Sequence, residues 1–108
     1  MSHGPHRYVY RLRPGAGEEY DRRHRDVWPE MLALLAEVGV DDYTIWRSDD
    51  IVVCSMRTRD RFDDAAAALA ASEVQARWSA SLRDLFERVA DDDGRPLWLT
   101  EVFRWEGA

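Results

Sequence analysis

Alternation of apolar and polar residues predicts four β-strands. The run from Arg7 to Arg13 is rich in β-favouring residues, and Pro14 and Gly15 end it. Two further runs, Tyr43 to Trp46 and Ile51 to Met56, are separated by four polar residues, a length suited to a hairpin loop. The same alternation from Leu97 to Trp105 predicts the last strand.

Apolar residues at helical spacing predict a first helical region over residues 18–39. Pro29 lies inside it and has no N–H to bond to the carbonyl of Arg25, so we expect a break. An N-cap at Asp26 would place Pro29 within the next first turn, where N–H groups lack partners in any case. His24 would then lie near a helix end.

A second helical region follows the hairpin in two parts. Residues 60–71 are rich in alanine, and Ser72 with Gln75 forms a capping-box pattern that predicts a restart. The apolar stripe of this second part runs from Val74 to Val89. The predicted order is therefore β-α-β-β-α-β, a ferredoxin-like α+β fold with one antiparallel sheet under helices on a single face.

The last strand carries large apolar side chains on both faces, which predicts a partner. Leu97, Leu99 and Phe103 alternate with Trp98 and Val102. An exposed apolar face of this size promotes association, so we expect a homodimer with two sheets packed face to face.

Length and charge restrict the class of protein. A chain of 108 residues forms a single domain, expected over residues 7–108, with residues 1–6 as a mobile tail. A net charge of −6 opposes binding to nucleic acid or an anionic membrane, and no apolar run is long enough for a leader or a spanning helix. The single cysteine, Cys54, lies in an apolar run, which suits a reducing cytoplasm.

Tyr20 and His24 are the candidates for proton chemistry. Their spacing of four residues places both side chains on one face of a helix, on the apolar stripe. A core aromatic residue with a hydrogen-bonded histidine is the structural alternative. His24 is the one histidine outside the first six residues, and the imidazole group, with an ordinary pKa of about 6.5, exchanges protons at neutral pH. Residues at ligand spacing for a metal are lacking, so we expect no metal.

Five tryptophans are many for this length and allow two interpretations. They can fill the core and a dimer interface, or some can stack on the apolar face of a sugar whose hydroxyls bind tyrosine and histidine. Spacing alone does not choose between them. The five are Trp28, Trp46, Trp78, Trp98 and Trp105.

Several short segments together resemble the L-rhamnose mutarotase family. They are Glu18-Glu19-Tyr20, Arg22-Arg23-His24, Trp28-Pro29-Glu30, Arg77-Trp78 and Glu101-Val102-Phe103. The resemblance spans the chain from Tyr8 onward. It implies a dimeric α+β barrel of ferredoxin-like subunits and a cofactor-free isomerase that interconverts the α and β anomers of L-rhamnose.

The resemblance also implies roles for individual residues. His24 would be the proton donor, Tyr20 and Tyr43 would contact the sugar, and Trp78 would line the pocket. We further expect Tyr20 or a bound water molecule to complete the proton circuit. The family has a second tryptophan where this chain has Ser79, so a hydroxyl replaces one aromatic wall and related deoxysugars are alternative substrates.

Two other functions are compatible with the fold alone. One is a non-catalytic dimer that binds a small ligand, and the other is a cofactor-free oxygenase or lyase. The signature from Glu18 to Glu30 argues against the oxygenase or lyase.

Overall fold

The computed structural model of the chain describes residues 5–107. It contains four helices and five strands within that range. They are β1 His6–Leu12, α1 Gly17–His24, α2 Pro29–Glu37, β2 Val40–Ser48, β3 Ile51–Thr58, α3 Phe62–Ala70, α4 Glu73–Leu82, β4 Phe86–Arg88 and β5 Leu97–Trp98.

The strands form one antiparallel sheet in the order β2-β3-β1-β4, and β5 pairs with the same edge of β1 as β4. Tyr8 of β1 lies opposite Cys54 of β3, which lies opposite Ile45 of β2. The α+β class and the ferredoxin-like arrangement are confirmed.

The helices cover one face of the sheet, and the core lies between them. Leu12, Val52 and Cys54 are completely buried there, together with Tyr20 and Met31 from the helices. Burial raises the pKa of the Cys54 thiol to about 11, because a thiolate would be poorly solvated there. Cys54 is therefore a buried apolar side chain, as its sequence context indicates.

The break at Pro29 is confirmed, but the predicted cap at Asp26 is wrong. The helix α1 ends at His24, and α2 starts with Trp28 as its N-cap and Pro29 as its first residue. At that position proline loses no hydrogen bond, and its fixed φ suits the helix. A cap two residues earlier is therefore unnecessary.

The restart at Ser72 is also confirmed, whereas the predicted extent of the last helix is wrong. The Ser72 hydroxyl accepts a hydrogen bond from the Gln75 backbone N–H at 3.3 Å, and α4 then runs only to Leu82. A 3₁₀ turn follows at Arg83–Leu85. Phe86 instead belongs to β4, where it pairs with Leu12 of the sheet. Val89 lies beyond β4 and is exposed.

The predicted strand from Leu97 to Trp105 is wrong in its length. Only Leu97 and Trp98 are in a strand, opposite Val9 and Tyr8, and the Leu99 N–H donates one more bond to the Arg7 carbonyl. The strand β1 begins at His6, so the edge with which the predicted strand would pair ends near this point. Residues 99–107 have no regular structure, and their large apolar side chains are exposed.

The predicted tail over residues 1–6 lies mostly outside the described residues. His6 itself is the first residue of β1, and its ring stacks on Phe62 at 3.9 Å. No helix in the described range is long and apolar enough to cross a membrane.

Candidate active site

A cavity of about 660 Å³ lies between the sheet and the helices, within the usual range of about 300–1,000 Å³ for small-molecule sites. It receives side chains from β1, β2 and β4 and from α1, α2 and α4. All five predicted site residues line it: Tyr20, His24, Tyr43, Trp78 and Ser79. The structure therefore brings together residues that are up to 59 positions apart in the chain.

Tyr20 and His24 lie on one face of α1, in contact with each other. Their ring centroids are 4.2 Å apart, and His24 Nδ1 is 3.0 Å from the Tyr20 carbonyl oxygen. A carbonyl oxygen can only accept a hydrogen bond, so Nδ1 carries the hydrogen in this contact. Nε2 is then the nitrogen left for a ligand.

Trp78 forms the wall next to His24. It lies on α4, is largely buried, and meets the imidazole edge to face at a centroid distance of 5.5 Å. Trp28 also packs against Trp78, with the two ring centroids 5.1 Å apart. The Trp28 ring, at the N-cap of α2, therefore supports the aromatic wall.

Tyr43 brings a hydroxyl group to the cavity from β2. The Tyr8 hydroxyl lies 3.1 Å from the Tyr43 hydroxyl and donates to it, so Tyr43 keeps its own hydrogen for another acceptor. Burial raises the pKa of both phenols above their ordinary value. Tyr43 is thus a neutral hydrogen-bond donor.

Tyr20 is also held in its neutral form. Burial is the main cause that raises its pKa above the ordinary value of about 10, with smaller contributions from Cys54, Tyr8 and Asp21. A neutral phenol can donate a proton and accept another in the same step. Tyr20 is therefore suited to relay a proton.

An arginine on β2 fixes α1 to the sheet. Arg47 Nε and Nη2 each bond to a carboxylate oxygen of Asp21 at 2.7 Å, and Nη1 bonds to the Asp49 carbonyl at 2.7 Å. A Cβ atom at Gly17 would lie 2.3 Å from Nη1, so glycine makes room for the guanidinium. This bidentate pair sets the position of Tyr20, the residue before Asp21.

A second arginine connects α1 to the end of α4. Arg23 Nε bonds to Glu19 at 2.7 Å, and Nη1 bonds to the Ser81 carbonyl at 2.6 Å and to Asp84 at 3.0 Å. Hydrogen bonds from Arg22 and Arg23 lower the pKa of Glu19 to about 2, so this network is fully charged at neutral pH. It joins the helix of His24 to the helix of Trp78.

Among the cavity-lining residues that the sequence predictions did not select are Tyr10, Gln75 and Phe86. Tyr10 lies two residues from both Tyr8 and Leu12, on the same face of the strand, so the strand pattern could have found it. Gln75 is four residues before Ser79 on α4, and helical spacing could have found it too. No sequence signal marked Phe86 as a cavity residue, because its position continues the apolar spacing of α4, which ends at Leu82.

These features define a class of protein: a ferredoxin-like α+β chain with an aromatic pocket that contains an imidazole and two neutral phenols. The fold occurs in solved structures of more than one activity. An L-rhamnose mutarotase from Formosa agariphila has a TM-score of 0.73 at 24% identity, covering 96% of this chain and all of that one. The tetracenomycin F2 cyclase of Streptomyces glaucescens has a TM-score of 0.67 at 14% identity, covering 96% and 98%. At these identities the likeness shows the fold alone.

The family is shown by sequence. The family described as L-rhamnose mutarotase matches residues 6–105. An L-rhamnose mutarotase of Burkholderia orbicola is 39% identical, over 81% of this chain and 82% of that protein. One from Jannaschia sp. is 34% identical, over 89% and 92%. The chain belongs to the L-rhamnose mutarotase family and is an isomerase of the sugar mutarotase type.

Proposed function

We propose that this chain interconverts the α and β anomers of L-rhamnose, with His24 as the acid–base residue. The observation that carries the proposal is the bond between His24 Nδ1 and the Tyr20 carbonyl. It orients the imidazole and leaves Nε2 for the substrate, in a cavity that Tyr20, Tyr43 and Trp78 also line.

The reaction needs two proton transfers. The ring oxygen gains a proton while the anomeric hydroxyl loses one, so the bond between C1 and the ring oxygen breaks and an aldehyde forms. Rotation about the bond between C1 and C2 and reclosure give the other anomer. His24 enters this step with both ring nitrogens protonated and gives the Nε2 proton to the ring oxygen. The proton of the anomeric hydroxyl passes through Tyr20 or a water molecule back to Nε2, and reclosure reverses both transfers. No oxidant or reductant takes part.

The remaining side chains bind and orient the sugar. Trp78 offers an aromatic face to the apolar side of the ring, while Tyr43 donates a hydrogen bond to a sugar hydroxyl. Ser79 presents a hydroxyl at the same wall. Ring opening already occurs in water, so placing two proton-transfer groups correctly is enough to accelerate it.

We also propose that the working form is a homodimer. We place it in the cytoplasm, which the buried single cysteine suggests. The sheet face away from the helices carries one apolar residue from each of four strands. They form a row across the sheet: Leu97, Val9, Val53 and Trp46. A second copy of this chain would cover that row and the exposed apolar side chains of residues 99–105.

Saturation-transfer NMR on L-rhamnose at neutral pH tests the activity. We expect the protein to increase the exchange rate between the two C1 proton signals in proportion to its concentration. Saturable binding without faster exchange would contradict the proposal and would indicate a ligand-binding protein instead.

A further inference from the structure

The helix α4 presents a polar stripe to the cavity beside its apolar one. Trp78 and the buried Leu82 form the apolar stripe. Gln75 and Ser79, one turn apart, form the polar one, and Gln75 Nε2 donates a hydrogen bond to Ser79 Oγ at 2.9 Å. Only the backbone N–H of Gln75 takes part in the cap at Ser72, so its amide side chain is free to face the cavity.

The pair has hydrogen-bonding capacity to spare. Within residues 5–107, the bond between them is the one hydrogen bond that either side chain makes. The amide oxygen, the second amide N–H and the serine O–H are therefore available. A sugar hydroxyl both donates and accepts, so it can accept from Ser79 and donate to the Gln75 oxygen. An apolar group at this place would leave the serine O–H and the Gln75 amide oxygen without a partner on the sugar.

The proposed reaction indicates which part of the sugar lies at this stripe, and this step rests on the proposed function. The ring oxygen is bonded to C1 and C5, so a group that protonates it has the anomeric hydroxyl on one side and the C5 substituent on the other. Tyr20, on the same helix as His24, occupies the anomeric side as the proton relay. The wall of α4, where Trp78 is 5.5 Å from His24, then receives the C5 substituent.

We propose that Gln75 and Ser79 bind a hydroxyl group on the carbon attached to C5 and so determine specificity. The enzyme would then accept a sugar with a hydroxymethyl group at C5 as well as a 6-deoxy sugar. L-mannose is the direct probe, since it differs from L-rhamnose only by this hydroxyl. L-lyxose completes the series, because it has a hydrogen atom at C5 in place of the methyl group of L-rhamnose.

The test compares kcat/KM for anomer exchange on the three sugars by saturation-transfer NMR. We expect the ratio of L-mannose to L-rhamnose to be within about tenfold of unity for the unaltered protein. Ser79→Ala and Gln75→Leu should each lower that ratio about three- to tenfold, the size of one hydrogen bond to a neutral hydroxyl. The ratio of L-lyxose to L-rhamnose should not change, because neither sugar has the hydroxyl. The matched control is Ala80→Ser, which adds a hydroxyl on the exposed side of α4 and should leave both ratios unchanged.

The outcomes separate this inference from the proposed function. If the unaltered protein accelerates exchange of L-rhamnose but the variants affect all three sugars equally, the pair binds a ring hydroxyl and the inference is wrong. If the unaltered protein accelerates exchange of none of them, the proposed function fails and the inference fails with it. Both variants change partly exposed side chains, and circular dichroism checks that each remains folded.

Discussion

Tyr20 and His24 differ in the proton chemistry that their surroundings allow. The Tyr20 phenol is buried, which keeps it protonated well above neutral pH. The His24 imidazole is half-buried, and one of its nitrogens is fixed by a backbone carbonyl. In the proposed reaction the histidine therefore offers its second nitrogen to the sugar, whereas the tyrosine acts through a neutral hydroxyl.

Replacing Tyr20 by phenylalanine tests the relay. The ring contact with His24 at 4.2 Å should persist, while exchange of L-rhamnose anomers should fall about 10²-fold because the hydroxyl is lost. Because burial raises the pKa of Tyr20 above its ordinary value of about 10, the phenol should stay protonated at neutral and mildly alkaline pH. The rate of the unaltered protein should therefore show no step from Tyr20 between pH 7 and pH 9. A tyrosine-dependent step in that range, absent from the variant, would contradict the assignment.

At the scale of elements, the positions of α1 and α4 set the geometry of the site. Arg23 on α1 reaches the Ser81 carbonyl at the end of α4 and Asp84 after it. Among residues 5–107, the Arg22 side chain bonds only to Glu19 on its own helix. These neighbouring arginines therefore share a bond to Glu19 and differ in the link between helices. That link holds His24 near Trp78.

Arg23→Ala should lower kcat for anomer exchange about 10-fold to 10²-fold, because a shift of about 1 Å in a catalytic group has effects of this size. KM should change less, since Tyr43 lies on β2 and does not depend on this link. Arg23→Lys should recover part of the loss. Arg22→Ala is the matched control and should leave kcat within about twofold. Equal losses for the two alanine variants would show that helix charge, rather than the link, is responsible.

Local sequence signals predicted the starts of elements better than their ends. Pro29 and Ser72 act through their own backbone and hydroxyl groups, so the break and the restart were predictable from single residues. The strand after Leu97 was predicted from alternation, but alternation does not show whether a neighbouring edge is present to pair with. Likewise, Phe86 fits the helical spacing, yet pairing with Leu12 places it in the sheet.

The candidate site was also predictable only in part, because sequence signals act within one element and do not show contacts between elements. Tyr20 and His24 follow from spacing on one helix, and the resemblance added Tyr43, Trp78 and Ser79. The bond between Gln75 and Ser79 and the link from Arg23 to Asp84 depend on side-chain directions and on contacts between distant segments. Only the folded chain shows these contacts.

For the whole molecule, the uncovered sheet face makes the clearest prediction. Trp46 is 53% exposed at the end of the apolar row on β2. In the proposed homodimer this face meets a second sheet, so Trp46→Glu would place an unpaired carboxylate in the interface. We expect it to weaken the dimer about 10²- to 10³-fold.

Sedimentation velocity over a dilution series measures this change. The unaltered protein and the control Ala80→Glu, on the helical side, should sediment with twice the mass of one chain. Trp46→Glu should sediment as a monomer at the concentrations where the control is dimeric. A monomeric unaltered protein would contradict the proposed assembly.

The most direct test of the account is the exchange rate of L-rhamnose anomers in His24→Ala, measured by saturation-transfer NMR beside His6→Ala. His6 stacks on Phe62 and does not line the cavity, so its removal controls for the loss of an imidazole elsewhere. We predict a fall of about 10²- to 10⁴-fold for His24→Ala and no more than a small change for His6→Ala. Undiminished exchange in a folded His24→Ala protein would contradict the central claim.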